Sequence, residues 1–364
     1  MKNLRFFNKI EAYLFGEENI KLIREHKIDP YRVFNDMDKD SKRVVDGVGT
    51  FLYVRDTDIP YLLFVPEKMY PTDRLVVESN NCESDNKDKV LRQACGPIKY
   101  FYNVLNHPVP VMVPLIPSEK GKPYYQQLSV DMLYEKDGLN IASSVNENIT
   151  DALNKIEEVS GVRLDDKIFL NGYSSSGVFA ERFALLYPER VDTLCAGGAS
   201  LSIPLPNSDI PYPLGTRGIV NFNVNAYKDI KFRYYVGEFE EVNIAKKDKE
   251  GNGYNDRKDV IDGEIKTVEA PMHDMTYFPR SVPVYTGFRY RQLLGKDLFT
   301  RSEKLFYIYR NDGYDFRNTI IRGRAHKDME IDGKSYKGVN ECADPIIDSA
   351  YKQSVLTLSR SHKK

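Results

Sequence analysis

Short apolar runs alternate with longer amphipathic ones along most of this chain. Between about residues 47 and 117, GTFLYVRD, PYLLFVPEK and RLVVESN are apolar or alternating and are bounded by Gly, Pro and Asp. That pattern predicts short strands. A helical segment is expected around KVLRQACGPIKYFYNVL, followed by the strand PVPVMVPLI. Across 138–160, Ile141, Val145, Ile149, Leu153, Ile156 and Val159 recur at threes and fours, the stripe of one helix face. The strand KIFLN comes next, then a helix with Val178, Phe179, Phe183 and Leu186 on one side, stopped by Pro188. Further strands are expected at VDTLCAG, KFRYYVG (231–237) and RNTIIRG (317–323), and a terminal helix near 345–359.

Strands that alternate with helices imply an α/β protein, with a mostly parallel central sheet covered by helices on both faces. Right-handed crossovers then gather the loops at the C-terminal ends of the strands on one rim, where open α/β sheets bind ligands. Residues 1–45, charged and broken at Pro30, are expected to form an N-terminal extension to a single domain over 46–364. The stretches 200–230 and 242–286 are rich in Pro, Asn, Gly and charge and are expected as cap-like insertions over the rim.

Composition narrows the partners. The 364 residues carry 52 basic and 53 acidic side chains, a net charge of −1, so nothing draws the chain to nucleic acid or to an anionic membrane. A small or neutral partner fits better than a polyanion. The most apolar stretch, PVPVMVPLIP (108–117), is too short to span a bilayer, and the N-terminal residues lack the apolar core of a signal peptide. Cys82, Cys95, Cys195 and Cys342 are scattered without a CxxC pair, which suits reduced thiols in a cytoplasm.

The candidate chemistry lies in IFLNGYSSSGVFAERFALLYPERV (168–191), where three serines stand between Gly172 and Gly177 at a strand-to-helix transition. A residue at the apex of a very tight turn is strained and projects its side chain outward, and the positions two before and two after it must be small. Ser174 as the apex puts Gly172 and Ser176 at those positions, and Ser175 at the start of the helix. The segment DDKIFLNGYSSSGVFAERFALLYPERVDTLCAGGAS resembles the nucleophile elbow of α/β-hydrolase-fold serine hydrolases. It is most similar to the esterases related to polyhydroxybutyrate depolymerases and feruloyl esterases, over about 48–355. The sequence departs from that pattern at Ser176, where many relatives have glycine.

The resemblance implies an α/β-hydrolase fold and a Ser–acid–His order along the chain, with no metal or organic cofactor. His26 and His107 precede the serine, His362 sits in a basic tail, and His273 has no strand before it. His326, in NTIIRGRAHKDM, follows a strand-like run and a glycine, as the triad histidine does in that family. In KFRYYVGEFEEVN the family's habit of an acid three residues after a glycine points to Glu240, with Glu238 and Glu241 as rivals and Asp312 or Asp315 in a variant layout. The oxyanion donors would be the N–H groups of Ser175 and, after RLVVESN, of Asn81.

Two weaker patterns carry less. Asp248 to Asp259 faintly echoes a calcium loop but has the wrong residues at its third and last places. Tyr277, Phe278, Tyr285 and Phe288 lie beside the insertions and could line an acyl or aromatic pocket, although core packing accounts for most aromatic side chains. The expected function is an esterase acting through an acyl-enzyme. A prolyl-oligopeptidase-like peptidase and a catalytically inactive ligand-binding protein remain alternatives.

Overall fold

A computed structural model describes residues 14–15, 29–37, 42–80, 86–105, 108–116, 128, 140–199, 203–206, 208–238, 257–261, 264–268, 289–290, 292–295, 298–326, 329–331, 334–339 and 343–361. Among the described residues, ten strands form the main sheet: β1 (Leu14–Phe15), β2 (Lys42–Val45), β3 (Gly49–Val54), β4 (Tyr61–Pro66), β5 (Val76–Val77), β6 (Val111–Pro114), β7 (Ile168–Tyr173), β8 (Val191–Gly197), β9 (Lys231–Gly237) and β12 (Asp315–Ile321). Their spatial order is β1-β12-β9-β8-β7-β5-β6-β4-β3-β2. From β6 to β1 all neighbours are parallel, while the β2–β3, β3–β4 and β4–β6 pairs are antiparallel. With β5 and β6 exchanged in the order and helices on both faces, this is the α/β-hydrolase fold.

The central strands are buried on both sides, which is why YLLFVP and IFLN read as unbroken apolar runs. In β7, Ile168 and Leu170 enter one core and Phe169 the other. The first core is closed by α3 (Ile141–Ser160), α4 (Ser175–Leu186), the short α5 (Val224–Lys228) and α6 (Leu298–Asn311); the second by α1 (Pro30–Asn35), α2 (Lys87–Val104) and α7 (Asp344–Ser361). Helix α3 follows its stripe: Ile141, Val145, Ile149 and Ile156 are buried, and Leu153 and Val159 lie at the margin. Asn140 caps its N-terminus by accepting the Ser143 N–H at 3.0 Å, and Gly161, at φ 71°, ends it in the left-handed region.

The structure alters several of these expectations. RLVVESN pairs only over Val76–Val77; beyond it, the side chains of Glu78 and Asn80 take hydrogen bonds from Asn171 and the Ile116 N–H. The N-terminal stretch is not simply an extension: β2 pairs with β3, β1 pairs with β12, and Phe34 and Met37 are buried in the second core. Within the stretch expected as a cap-like insertion, Ile203, Leu205, Ile210, Tyr212 and Leu214 pack into the first core. Helix α4 is accordingly buried nearly all round, including Glu181 and Arg182, where one apolar side was expected. Of 242–286, only the antiparallel pair β10 (Arg257–Ile261) and β11 (Glu264–Val268) is described. Asp259 of the calcium-like pattern falls in that pair, opposite Lys266, and Asp248 to Asp256 lie outside the described residues, as do Tyr277, Phe278, Tyr285 and Phe288.

Candidate active site

The chain turns from β7 into α4 at Ser174, whose backbone stands at φ 56° and ψ −117°. A serine holds this conformation only where its surroundings over-determine it. The Ser174 N–H reaches the Gly197 carbonyl at 2.8 Å, and its own carbonyl accepts the Val178 N–H at 3.0 Å. The turn is too tight for a side chain at position 172: a Cβ on Gly172 would lie 2.3 Å from the Ser176 carbonyl oxygen. One on Gly177 would lie 2.9 Å from the Ala199 Cβ.

Ser176, the departure from glycine, has a structural task. Alternate peptides of β7 face opposite neighbours: the Phe169 N–H points to β5, and the Ser174 N–H to β8. Tyr173 therefore faces the β5 side, where pairing has already ended at Val77. The fully buried Ser176 hydroxyl fills that gap, accepting the Tyr173 N–H at 2.8 Å and donating to the Tyr173 carbonyl at 2.9 Å. Ser176→Ala should lower the unfolding free energy by about 1–3 kcal/mol, because it strands both groups in the interior. A urea midpoint that does not move would refute this.

His326 arrives from the far side of the sheet. Strand β12 ends at Ile321, Gly323 turns the chain at φ 69°, and β13 (Arg324–Ala325) delivers the imidazole. Its Nε2 lies 2.9 Å from the Ser174 Oγ, and both side chains are half-buried. Close crossing of β13 over the end of β9 requires Gly237, where a Cβ would meet the Arg324 carbonyl oxygen at 2.5 Å. Glu238 accepts the Gly323 N–H at 3.0 Å, so its carboxylate holds the turn that presents His326.

The other expected residues separate clearly. Ser175 is the first residue of α4, where backbone N–H groups have no intrahelical acceptor. Glu240, Glu241 and Asn81 lie outside the described residues. Asp312 is exposed, and Asp315 is bound by both arms of Arg233 at 3.0 and 2.8 Å. Asp312, in the turn before β12, and Asp315, its first residue, stand a strand's length from His326, which removes them as partners of its ring. His26, His107, His273 and His362 also fall outside the described residues.

Sequence reasoning missed two neighbours. Tyr173, immediately before the apex, stacks against His326, with ring centroids 5.2 Å apart and planes 21° off parallel. Glu78, just past β5, accepts from the Asn171 Nδ2 at 2.6 Å. Burial pushes the Glu78 carboxyl up to about 7, against the downward pull of the Asn171 hydrogen bond. A folded-state value above the unfolded 4.5 means that Glu78 is best tolerated below pH 4.5 and costs stability as pH rises through about 7. Glu78→Gln should therefore match the wild type near pH 4.5 and exceed it above pH 7 by about 1–3 kcal/mol. Urea unfolding at the two pH values checks this, and an equal difference at both would refute it.

Burial also raises the Cys195 thiol, which keeps it protonated beneath the site. Among the described residues no group of three or more His, Cys, Asp or Glu side chains could hold a metal, and no helix is long and apolar enough to cross a membrane.

No protein-family model matches the chain, and no curated protein matches it. It is similar to several solved structures. One is a poly(3-hydroxybutyrate) depolymerase from Bordetella parapertussis, at 12% identity over 83% of this chain and 91% of that one, with a TM-score of 0.45. Another is the poly(aspartic acid) hydrolase-1 of Sphingomonas sp. KT-1, at 15% identity over 78% and 95%, with a TM-score of 0.44. A third is an S-formylglutathione hydrolase from Agrobacterium tumefaciens, at 11% identity over 86% and 97%, with a TM-score of 0.42.

Proposed function

We propose that this chain is a serine hydrolase that cleaves a carboxylic ester through an acyl-enzyme. The observation that carries the reading is the 2.9 Å approach of the His326 Nε2 to a serine hydroxyl at the apex of a strained strand-to-helix turn. A serine hydroxyl is a weak nucleophile until a base takes its proton as it attacks. With the proton on Nδ1, the His326 Nε2 accepts the Ser174 proton while Oγ bonds to the carbonyl carbon, and the carbonyl oxygen takes up the charge. The N–H groups at the start of α4, with that of Ser175 first, and the Asn81 N–H are the donors assigned to that oxygen. The imidazolium returns the proton to the leaving alcohol as the C–O bond breaks, leaving the acyl group on Ser174. Water, deprotonated by the same imidazole, then releases the acid and restores the hydroxyl. Glu240 is assigned to orient the ring through Nδ1.

A fluorophosphonate probe tests the reading. Labelling of the wild-type protein that disappears in Ser174→Ala supports a serine hydrolase; an unlabelled wild type would favour a hydrolase fold that only binds its ligand. Turnover of p-nitrophenyl butyrate without cleavage of peptide substrates supports the ester assignment, and the reverse preference overturns it in favour of a peptidase.

A further inference from the structure

Ser174 and His326 come from segments more than 150 residues apart, and His326 follows a strand of only two residues. Something must hold such an imidazole to within a fraction of an ångström of its serine. Among the described residues, the neighbour of the serine itself is placed to do so. The Tyr173 hydroxyl donates a hydrogen bond to the main-chain carbonyl of His326. Its ring lies nearly parallel to the imidazole, and a second ring, Tyr235, lies 6.3 Å from Tyr173 at 17°.

The end of β8 is cut away where these rings converge. A Cβ on Gly197 would stand 2.0 Å from the Tyr235 ring. A Cβ on Gly198, at φ 60°, would stand 2.8 Å from the His326 Cε1, 3.0 Å from its Nδ1 and 3.1 Å from the Tyr173 Cε2. Two consecutive glycines thus open one slot for three aromatic rings drawn from β7, β9 and the residue after β13. The left-handed backbone at Gly198 is a second reason that position excludes other residues.

We propose that Tyr173 is a positioning residue for His326, acting from within the Gly197–Gly198 slot, an inference that rests on the Ser174–His326 reading. Its hydroxyl fixes the main chain that carries the imidazole, and its ring fixes the plane of the imidazole. Because Tyr173 is bonded directly to Ser174, the base cannot shift away from the nucleophile without breaking contacts made by the nucleophile's own strand. The stack also favours the reacting form: imidazolium over an aromatic face is attracted by the ring's quadrupole, and the neutral imidazole much less so. The contribution therefore grows as the proton moves from serine to histidine, so it should raise kcat rather than substrate affinity.

Tyr173→Leu and Tyr173→Phe, each checked for folding by thermal unfolding, separate the parts. Tyr173→Leu should lower kcat by about 100-fold, the scale of a 1 Å misplacement, with KM little changed. Tyr173→Phe keeps the stack, loses one hydrogen bond, and should recover kcat to within about 10-fold of wild type. A second readout needs no activity. With histidine labelled at Cε1, the His326 ring proton should resonate upfield in the wild type and in Tyr173→Phe, shielded by the tyrosine or phenylalanine face, and should return downfield in Tyr173→Leu. A folded Tyr173→Leu protein with wild-type kcat, or one whose loss lies in KM alone, overturns the inference while Ser174→Ala labelling leaves the hydrolase reading intact. If the wild type neither labels nor turns over ester, the hydrolase reading fails, and the His326 resonance alone decides whether Tyr173 orients the ring. If Tyr173→Leu does not fold, the wild-type resonance and the Tyr173→Phe kinetics decide it, and an unshifted wild-type signal overturns it.

Discussion

His326→Ala should lower kcat toward p-nitrophenyl butyrate by on the order of 10⁶-fold, as should Ser174→Ala, and the double variant should be no worse than either alone. On the proposed serine-hydrolase reading, the two side chains act as one nucleophile. Without the imidazole, the Ser174 proton has no acceptor at 2.9 Å, and the alkoxide needed for attack would have to form at the cost of a hydroxyl's full acidity. Without the hydroxyl, the imidazole has nothing to activate but water. What remains in each variant is whatever the N–H groups at the elbow and the binding of substrate contribute, and that remainder is common to all three proteins. Both residues are half-buried at a loop or turn, so removing either side chain should leave the fold in place. Circular dichroism and the thermal midpoint establish that, and single-turnover kinetics with excess enzyme separate acylation from substrate binding. Additive losses in the double variant, or a His326→Ala protein close to wild-type kcat, would mean that the 2.9 Å contact is not the reacting pair.

Most of this arrangement could be read from the chain because it obeys local rules. Strands with two buried faces announce themselves as apolar runs, and the α3 stripe specifies a helix with one face to the core. The elbow is equally local: steric demand at positions 172, 174, 176 and 177 falls within six residues, and few sequences satisfy it. What escaped is what depends on partners far along the chain. Strand β2 is exposed along most of its length, so KRVV shows no alternation, and only its pairing with β3 makes it a strand. Segment 203–214 looks like a Pro-rich loop, yet Ile203, Leu205, Ile210, Tyr212 and Leu214 all turn into the core beside α4. Tyr173 and Glu78 carry no signal in their own neighbourhoods; each matters through a residue 153 or 93 positions away. The Gly237–Glu238 pair shows the opposite case, a local signal with a second meaning. It marks the turn that delivers His326 as well as the loop expected to hold the acid.

Arg74→Ala should lower the unfolding free energy by about 3–5 kcal/mol, as when one partner of a buried ion pair is removed, while leaving kcat of the folded protein unchanged. Arg74 is only 3% exposed and ties four segments together. Its guanidinium donates to Asp165 at 3.0 Å, to the Lys167 carbonyl at 2.9 Å, to Asp192 at 3.1 Å and to the Ser354 carbonyl at 3.4 Å. Asp192 also receives Lys231 at 2.9 Å and the Ser354 hydroxyl at 2.7 Å. These contacts lie where β7, β8 and β9 begin, whereas Ser174 follows the last residue of β7, roughly 20 Å away at the rise of an extended strand. Stability and catalysis should therefore come apart in this variant. The acid response should change with it. Burial alone would raise the Asp192 carboxyl, but the charges of Arg74 and Lys231 outweigh it and hold the group below its ordinary 3.8. Its stabilising contribution is thus present above pH 3.8 and is lost only as pH falls through the lower, folded-state value. Without Arg74, burial is opposed only by Lys231 and the Ser354 hydroxyl, so the folded-state value rises and the charge on Asp192 costs more near neutral pH, a cost that protonation relieves as pH falls. Arg74→Lys restores a charge but not the fork that reaches several acceptors at once, so it should recover only part of both effects. Urea midpoints measured from neutral pH down to about pH 4 would show this ordering: wild type above Arg74→Lys, and Arg74→Ala lowest, with the gap narrowing as pH falls. A gap that stayed constant with pH would mean that the lost hydrogen bonds to the Lys167 and Ser354 carbonyls, and not the charge facing Asp192, account for the destabilisation.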